Sequence, residues 1–172
     1  MPVRASAISI ERDAPVSTWM NVGGRADALA RPAGAEELRA LLEWEGPVRI
    51  LGDGANLLVA DEGVDGLVIS LEKLKGVEDL GAPGLLRVQA GANLPRLVVE
   101  AARRGLSGLE GLAGVPATLG GAVRMNAGGA FGAIADAVTR VHSLTRSGEA
   151  RTLERDEIDF GYRRSGLDDL II

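Results

Sequence analysis

Glycine clustered at two places constrains this chain more than any other feature of its sequence. Residues 115–132 read VPATLGGAVRMNAGGAFG, in which small residues surround one asparagine. Residues 52–56, GDGAN, directly follow the apolar run 48–51. Glycine adopts positive φ and has no Cβ, so successive N–H groups at such positions can surround an anion without a lysine. The two segments therefore predict two phosphate-binding loops, and together they indicate a pyrophosphate-containing cofactor.

The composition is that of an ordinary globular chain and excludes several classes of protein. The 172 residues are 46% hydrophobic and 25% charged, which is enough for a substantial core. A net charge of −5 argues against non-specific nucleic-acid binding. The absence of cysteine excludes disulfides, thiolate metal sites and a cysteine nucleophile, and a single histidine leaves little zinc chemistry. We expect neither a nucleic-acid partner nor a metal.

Nothing in the sequence indicates a membrane or an export signal. No apolar stretch approaches the length of a membrane span, and residues 1–6 lack the apolar core of a signal peptide. We therefore expect a cytoplasmic protein without a membrane partner.

Strand-like and helix-like segments alternate along the chain. One helix is expected over residues 35–44, and a second begins at Asn93 as N-cap, has Pro95 in its first turn and ends before a left-handed Gly105. A hairpin is expected near the end of the chain, followed by a short turn or helix over 154–159. The predicted strands are residues 26–30, 48–51, 67–70, 86–90, 137–144, 149–153 and a last one beginning near 170.

Four motifs follow one another along nearly the whole chain. They are STWMNVGG at 17–24, ILGDGANLL at 50–58, GVPATLGGAVRMNAGGAFG at 114–132 and FGYRRS at 160–165. In this order they resemble the motifs of the UDP-N-acetylenolpyruvoylglucosamine reductases (UDP-N-acetylmuramate dehydrogenases, the MurB family), flavoenzymes of bacterial peptidoglycan synthesis. Two positions depart from the family pattern: Ala55 replaces a serine and Ala117 replaces a glycine. We expect neither change to abolish cofactor binding.

The resemblance implies a two-lobed α+β FAD-binding fold of the vanillyl-alcohol-oxidase (PCMH) type. The first lobe would comprise residues 1–71 and the second, incomplete lobe residues 72–172, because charges and glycines interrupt the apolar pattern over 71–84. A substrate-binding domain is expected beyond residue 172. This chain would then be the FAD-binding part of the enzyme, with little activity alone.

The resemblance also implies a reaction and the residues that take part in it. NADPH would reduce FAD, which would pass hydride to the enolpyruvyl ether of a UDP-sugar. Arg163 would stabilise the charge that develops beside the substrate carboxylate, and Tyr162 would contact substrate. The residues expected to bind the cofactor are Gly52, Asp53, Gly54, Ala55, Asn56, Leu57, Val115, Pro116, Ala117, Thr118, Gly120, Gly121, Asn126, Ala127 and Gly128.

Other interpretations stay open. The chain could belong to another flavin oxidase or dehydrogenase of the same fold, or be a nucleotide- or sugar-phosphate-binding module without redox activity. A Rossmann fold is less favoured, because no G-x-G-x-x-G follows a first strand. Several residues also have purely structural interpretations: Gly23 and Gly24 as a turn, His142 as a surface or core imidazole, and Arg164 as a partner of Asp168 or Asp169.

Overall fold

The computed structural model describes residues 8–172, and the chain divides into two compact units. The first unit ends at Leu74 and the second begins at Lys75, inside the segment in which the sequence interrupts its apolar pattern. The expectation about a signal peptide concerns residues 1–6, which lie outside the described residues. Each unit has a hydrophobic core of its own.

A four-stranded sheet forms the first unit. Its elements are β1 (Ile10–Pro15), β2 (Arg25–Ala30), α1 (Ala35–Leu41), β3 (Val48–Leu51) and β4 (Val64–Ser70). The strand order is β1-β2-β4-β3, in which β2, β4 and β3 run parallel and β1 is antiparallel to β2. Three strands therefore end at the same edge, called here the carboxyl edge of the sheet.

Burial explains which of these elements the sequence reveals. The last four residues of β4 are all buried, as in a strand covered on both faces, and they coincide with the predicted strand 67–70. β1 was not predicted, because Ala14 is its single buried residue and charges dominate the rest.

The helix predicted over 35–44 is wrong in its last turn, since α1 ends at Leu41. The N–H groups of the next three residues bond to carbonyls three residues earlier, as in a tight turn.

The second unit combines two helices with short strands. Its elements are β5 (Val77–Asp79), β6 (Leu86–Val88), α2 (Leu94–Arg103), α3 (Leu119–Arg124), β7 (Gly128–Gly129), β8 (Gly132–Ala133), β9 (Arg140–Thr145), β10 (Ala150–Glu154) and β11 (Leu170–Ile171). β9 lies between β10 and β11 and is antiparallel to both. The hairpin and the last strand are confirmed, although β9 begins at Arg140 rather than at 137.

Helix α2 has the ends that its sequence predicts. The Asn93 side chain accepts a hydrogen bond from the N–H of Arg96 at 3.1 Å. At the other end Gly105 has φ +70°, and the N–H of Leu106 bonds to the Ala101 carbonyl at 2.9 Å. This is the Schellman arrangement, which needs a left-handed residue and so favours glycine.

Helix α3 was not predicted as a helix, and the strand predicted over 86–90 is shorter than expected. Both differences have one cause. The N–H groups of Leu119 and Gly120 donate to the carbonyls of Ala92 and Ala90, each at 2.8 Å. These bonds hold the first turn of α3 against the segment after β6, so Ala90 leaves the β5–β6 ladder. The last residue pair of the ladder is Val77 with Val88, and the N–H of Gln89 still donates to the Gly76 carbonyl at 2.9 Å.

Candidate functional site

The first glycine-rich loop leaves the sheet at the carboxyl edge, directly after β3. The N–H groups of four consecutive residues donate to no acceptor among the described residues: Gly54, Ala55, Asn56 and Leu57. Backbone amides are strong donors that are nearly always paired when buried, and consecutive unpaired amides form a concave anion site. This loop has the donors that a phosphate needs.

The conformation of the loop depends on Gly54. Its φ is +65°, and a Cβ at this position would lie 2.8 Å from the Ser17 carbonyl oxygen and 2.8 Å from the Thr18 Cα. The N–H of Trp19 also donates to the Gly54 carbonyl at 3.3 Å. The loop is therefore packed against residues 17–19 at a distance that only glycine permits.

A cleft of about 220 Å³ opens beside this loop. Residues at the ends of all three parallel strands line it, together with the segment before β2: Ser17, Trp19, Leu29, Arg31, Leu51, Gly52, Asp53, Ser70 and Glu72. Clefts at the carboxyl ends of parallel strands are common ligand sites. Sequence reasoning missed Arg31, which directly follows the predicted strand 26–30, and Glu72, which lies two residues after the predicted strand 67–70.

The arginine of this cleft is already engaged in ion pairs. Arg31 lies 2.5 Å from a Glu11 carboxylate oxygen and 3.1 Å from one of Glu72, and its side chain is only 24% exposed. Asp53 adds a further carboxylate to the lining. A phosphate bound here would be held by backbone N–H groups rather than by a free arginine.

The second glycine-rich segment uses most of its amides within the chain. The N–H groups of Leu119 and Gly120 bond to Ala92 and Ala90, and that of Gly121 bonds to the Thr118 hydroxyl at 3.3 Å. A Cβ on Gly120 would lie 2.7 Å from that of Ala90, so close packing explains this glycine.

The segment before α3 keeps a smaller number of free donors. The N–H of Val115 donates to the Leu112 carbonyl at 3.1 Å, and Pro116 has none. Among the described residues, the N–H groups of Ala117 and Thr118 donate to no acceptor. Ala117 is absent from the positions with positive φ, so the alanine found here in place of the family's glycine is not strained.

Asn126 ends α3 and links it to the last motif. Its φ is +42°, its N–H bonds to the Val123 carbonyl at 3.1 Å, and the N–H of Ala127 bonds to the Ala122 carbonyl at 2.8 Å. This is a second Schellman end, with asparagine as the left-handed residue. The Asn126 side-chain amide donates to the Gly161 carbonyl at 2.9 Å.

The chain after Asn126 makes a tight β-ladder. Gly128 pairs with Ala133 across β7 and β8. A Cβ on Gly128 would lie 2.6 Å from the Gly132 carbonyl oxygen, so this glycine is required by the close approach of the two strands.

The motif at 160–165 forms a tight turn with Tyr162 and Arg163 at its tip. Gly161 and Arg164 exchange backbone hydrogen bonds of 3.0 and 3.2 Å. The Tyr162 side chain is 92% exposed, and the Arg163 guanidinium lies 5.7 Å from the centre of its ring. Among residues 8–172 Arg163 has no ion pair, so its charge is available to an anionic ligand.

The partner predicted for Arg164 is wrong. Its guanidinium lies 3.0 Å from an Asp159 carboxylate oxygen, whereas Asp168 pairs with Arg124 at 3.1 Å. Asp168 and Asp169 follow the motif closely in the sequence, but nearness in sequence does not decide this ion pair. The turn reverses the chain, so that Arg164 is directed towards the residue before the motif.

The glycine pair at 23–24 and His142 have structural roles. Gly23 and Gly24 approach the backbone of 59–63 so closely that a Cβ on Gly23 would lie 2.3 Å from the Val59 carbonyl oxygen. His142 is exposed on β9, where a ring nitrogen lies 3.1 Å from the Thr152 hydroxyl of the neighbouring strand. In the described part of the chain, no helix is long and apolar enough to cross a membrane, and no group of acidic and histidine side chains could hold a metal ion.

Comparison with known proteins identifies relatives of this chain. The FAD binding domain family matches residues 26–154. The UDP-N-acetylenolpyruvoylglucosamine reductase of Synechococcus sp. (strain RCC307) is 42% identical over 168 residues, which are 93% of this chain and 55% of that protein. The enzyme of the same name from Lactobacillus acidophilus is 40% identical over 95% of this chain and 56% of its own length. The chain thus spans about half the length of these relatives.

Solved structures agree with these relatives. The UDP-N-acetylenolpyruvylglucosamine reductase from Thermus caldophilus superposes with a TM-score of 0.83 at 44% identity, over 95% of this chain and 59% of that one. The 6-hydroxy-D-nicotine oxidase from Arthrobacter nicotinovorans has a TM-score of 0.67 over 91% of this chain and 38% of its own. At 18% identity the oxidase shows the fold alone. The predicted α+β fold of the vanillyl-alcohol-oxidase type is confirmed.

The family match covers most of the chain, and the named relatives align with the chain over nine-tenths of its length or more. The chain therefore belongs to the FAD binding domain family and corresponds to the FAD-binding portion of the UDP-N-acetylenolpyruvoylglucosamine reductases.

Proposed function

We propose that this chain binds FAD for the NADPH-dependent reduction of UDP-N-acetylglucosamine enolpyruvate to UDP-N-acetylmuramate, a cytoplasmic step of peptidoglycan synthesis. The observation that carries the proposal is the set of four free amides in the loop after β3, which lie in the segment 50–58 that resembles a motif of the reductases. Bound FAD would accept hydride from NADPH and transfer it to the enolpyruvyl group.

The residues of the loop fit a dinucleotide pyrophosphate. Gly54 keeps the amides of 54–57 unpaired, and the cleft beside them has room for a nucleotide fragment. Asp53 would face the ligand from the lining of the cleft, and Gly52, the first residue after β3, would line the cleft beside it. In the second unit the free amides of Ala117 and Thr118 are the donors that support cofactor contact. Four further residues would shape that surface without donating to the cofactor: Val115, Pro116, Gly120 and Gly121. Proline has no backbone N–H, and the N–H groups of the other three already donate within the chain.

Arg163 is proposed as the catalytic cation and Tyr162 as a substrate contact. An unpaired guanidinium can bind a carboxylate through two parallel hydrogen bonds and stabilises additional negative charge as hydride arrives. Asn126, Ala127 and Gly128 would bring the α3 end close to the flavin. The proton donor and most of the UDP-sugar contacts would lie in the part of the relatives that this chain does not span.

The proposal is tested with the full-length gene product purified with FAD, which we expect to retain a flavin absorbance band after desalting. NADPH should bleach the band under anaerobic conditions, and the enolpyruvyl UDP-sugar should restore it. In Arg163→Ala we expect normal bleaching but reoxidation slowed by roughly 100-fold, the usual cost of removing one charge-stabilising donor. Arg151→Ala, which removes an exposed arginine on β10, is the matched control.

The outcomes separate the competing interpretations. A protein that retains no flavin and takes up none would be a nucleotide- or sugar-phosphate-binding module without redox activity. A flavin that is bleached but not reoxidised by the UDP-sugar would indicate another oxidoreductase of the same fold. Normal reoxidation in Arg163→Ala would remove the role assigned to that residue.

A further inference from the structure

The turn that carries Tyr162 and Arg163 is attached to the end of α3 on both of its sides. Before the tip, the Asn126 side-chain amide donates to the Gly161 carbonyl at 2.9 Å. After the tip, the Ser165 hydroxyl donates to the Arg124 carbonyl at 2.9 Å. The side chain of Ser165 is almost completely buried, so this bond is shielded from water.

The direction of the Asn126 side chain follows from the helix end. The Schellman bonds fix its backbone in the left-handed region, and its side-chain oxygen accepts the N–H of Ala135 at 3.3 Å. With the oxygen held by Ala135, the amide nitrogen points at Gly161. Asn126 is therefore oriented by three bonds that do not involve the turn.

Arg124 adds a restraint beyond the turn. Its guanidinium donates to the Leu167 carbonyl at 2.6 Å and to the Asp168 carbonyl at 3.1 Å. The segment that follows Ser165 is thus held by the same helical turn that holds Gly161. The last turn of α3 fixes the chain from 161 to 168 at several points.

The turn needs such restraint because of its own conformation. Arg163 has φ +57°, a left-handed conformation that is disfavoured for a residue with a Cβ. Two backbone bonds close the turn, but the Tyr162 side chain at its tip packs against no buried surface. Without contacts from α3, the backbone of the turn would be free to move, and the position of Arg163 would vary with it.

We infer that Asn126 and Ser165 are positioning residues that hold the turn carrying Arg163 in the position from which its guanidinium can reach the substrate carboxylate. The inference rests on the proposed function, in which Arg163 acts on that carboxylate. Catalytic groups work only within a narrow range of geometry, so a loosened turn should slow the reaction without removing any group that touches substrate.

The first test is structural and uses Asn126→Gly. Glycine keeps the left-handed helix end but removes the side-chain amide. We expect the Gly161 and Arg164 amides to exchange with solvent roughly tenfold faster by NMR, while amides of α2 keep their rates. Asn21→Gly is the control, since Asn21 is also left-handed, with φ +50°, but lies in the first unit. Unchanged exchange in Asn126→Gly would overturn the inference.

The second test uses the full-length gene product loaded with FAD. We expect Ser165→Ala, which alters no residue of the proposed cofactor site, to keep its affinity for FAD within about twofold. We expect both Ser165→Ala and Asn126→Gly to slow reoxidation by the UDP-sugar by roughly tenfold, through kcat. Because Asn126 acts mainly through Arg163, Asn126→Gly should slow reoxidation less when it is added to Arg163→Ala than it does in the parent.

The results distinguish this inference from the proposed function. Normal reoxidation in Arg163→Ala would contradict the proposed function itself. Slow reoxidation in Arg163→Ala together with normal rates in Asn126→Gly would overturn positioning alone. A large loss of FAD affinity in Asn126→Gly, with unchanged amide exchange, would make Asn126 a direct cofactor ligand and would also overturn the inference.

Discussion

Gly54 and Gly81 have similar backbone conformations but different surroundings. Their φ values are +65° and +75°, and a Cβ would lie 2.8 Å from the Ser17 carbonyl oxygen at Gly54 but would have nothing within 4 Å at Gly81. Alanine is strained at both positions, yet only Gly54→Ala should displace the loop after β3. We expect its FAD affinity to fall roughly tenfold or more, because one hydrogen bond to a charged group contributes about 1.5–3 kcal/mol.

A flavin absorbance titration checks this prediction at the scale of single residues. Gly81→Ala should bind FAD like the parent chain, since its substitution carries the backbone strain without the close contact. If Gly54→Ala folds, as judged by circular dichroism, and binds FAD unchanged, the amides of 54–57 do not hold the phosphates.

The structural roles of some single residues can be predicted from the sequence, and those of others cannot. The need for glycine at position 54 could be predicted, because a glycine-rich segment directly after a strand is typical of a turn that requires positive φ. The pairing of Arg31 with Glu72 could not be predicted, because it depends on β2 and β4 being parallel neighbours. The prediction of the partner of Arg164 was wrong for a similar reason, since the turn at 161–164 brings Asp159 close to the Arg164 guanidinium.

At the scale of elements, α2 and α3 end in the same Schellman arrangement, but only α2 was predicted. α2 has ten residues, an asparagine cap and Gly105 after its last turn, so local signals agree. α3 has six residues, two of them glycines, and is held by bonds from Leu119 and Gly120 to distant carbonyls. Tertiary bonds of this kind leave no periodic pattern in the sequence.

The end of α2 provides a direct test at this scale. Gly105 has φ +70° and open space around its Cα, so Gly105→Ala adds strain without a clash. We expect the free energy of unfolding to fall by roughly 1 to 2 kcal/mol, the cost of a left-handed residue with a Cβ. Gly105→Asn should lose less, because asparagine tolerates this conformation. Urea unfolding checks both, and equal stability of Gly105→Ala and the parent would contradict the assignment of the helix end.

At the scale of the whole molecule, each unit presents its own set of free amides. The loop of 54–57 belongs to the first unit, and Ala117 and Thr118 belong to the second. Each unit whose amides contact FAD should be stabilised against unfolding by the ligand. Binding at 100 times the dissociation constant stabilises a folded state by about 2.7 kcal/mol, so the slowest amides should exchange roughly 100-fold more slowly.

Hydrogen exchange can follow the two units separately in one sample. Leu67 and Ile69 in β4 report on the first unit, and Leu97 and Ala101 in α2 report on the second, because all four are buried. We expect saturating FAD to slow exchange in both elements. Slower exchange in β4 alone would mean that the first unit binds FAD by itself and that the amides of Ala117 and Thr118 have no part in holding the cofactor.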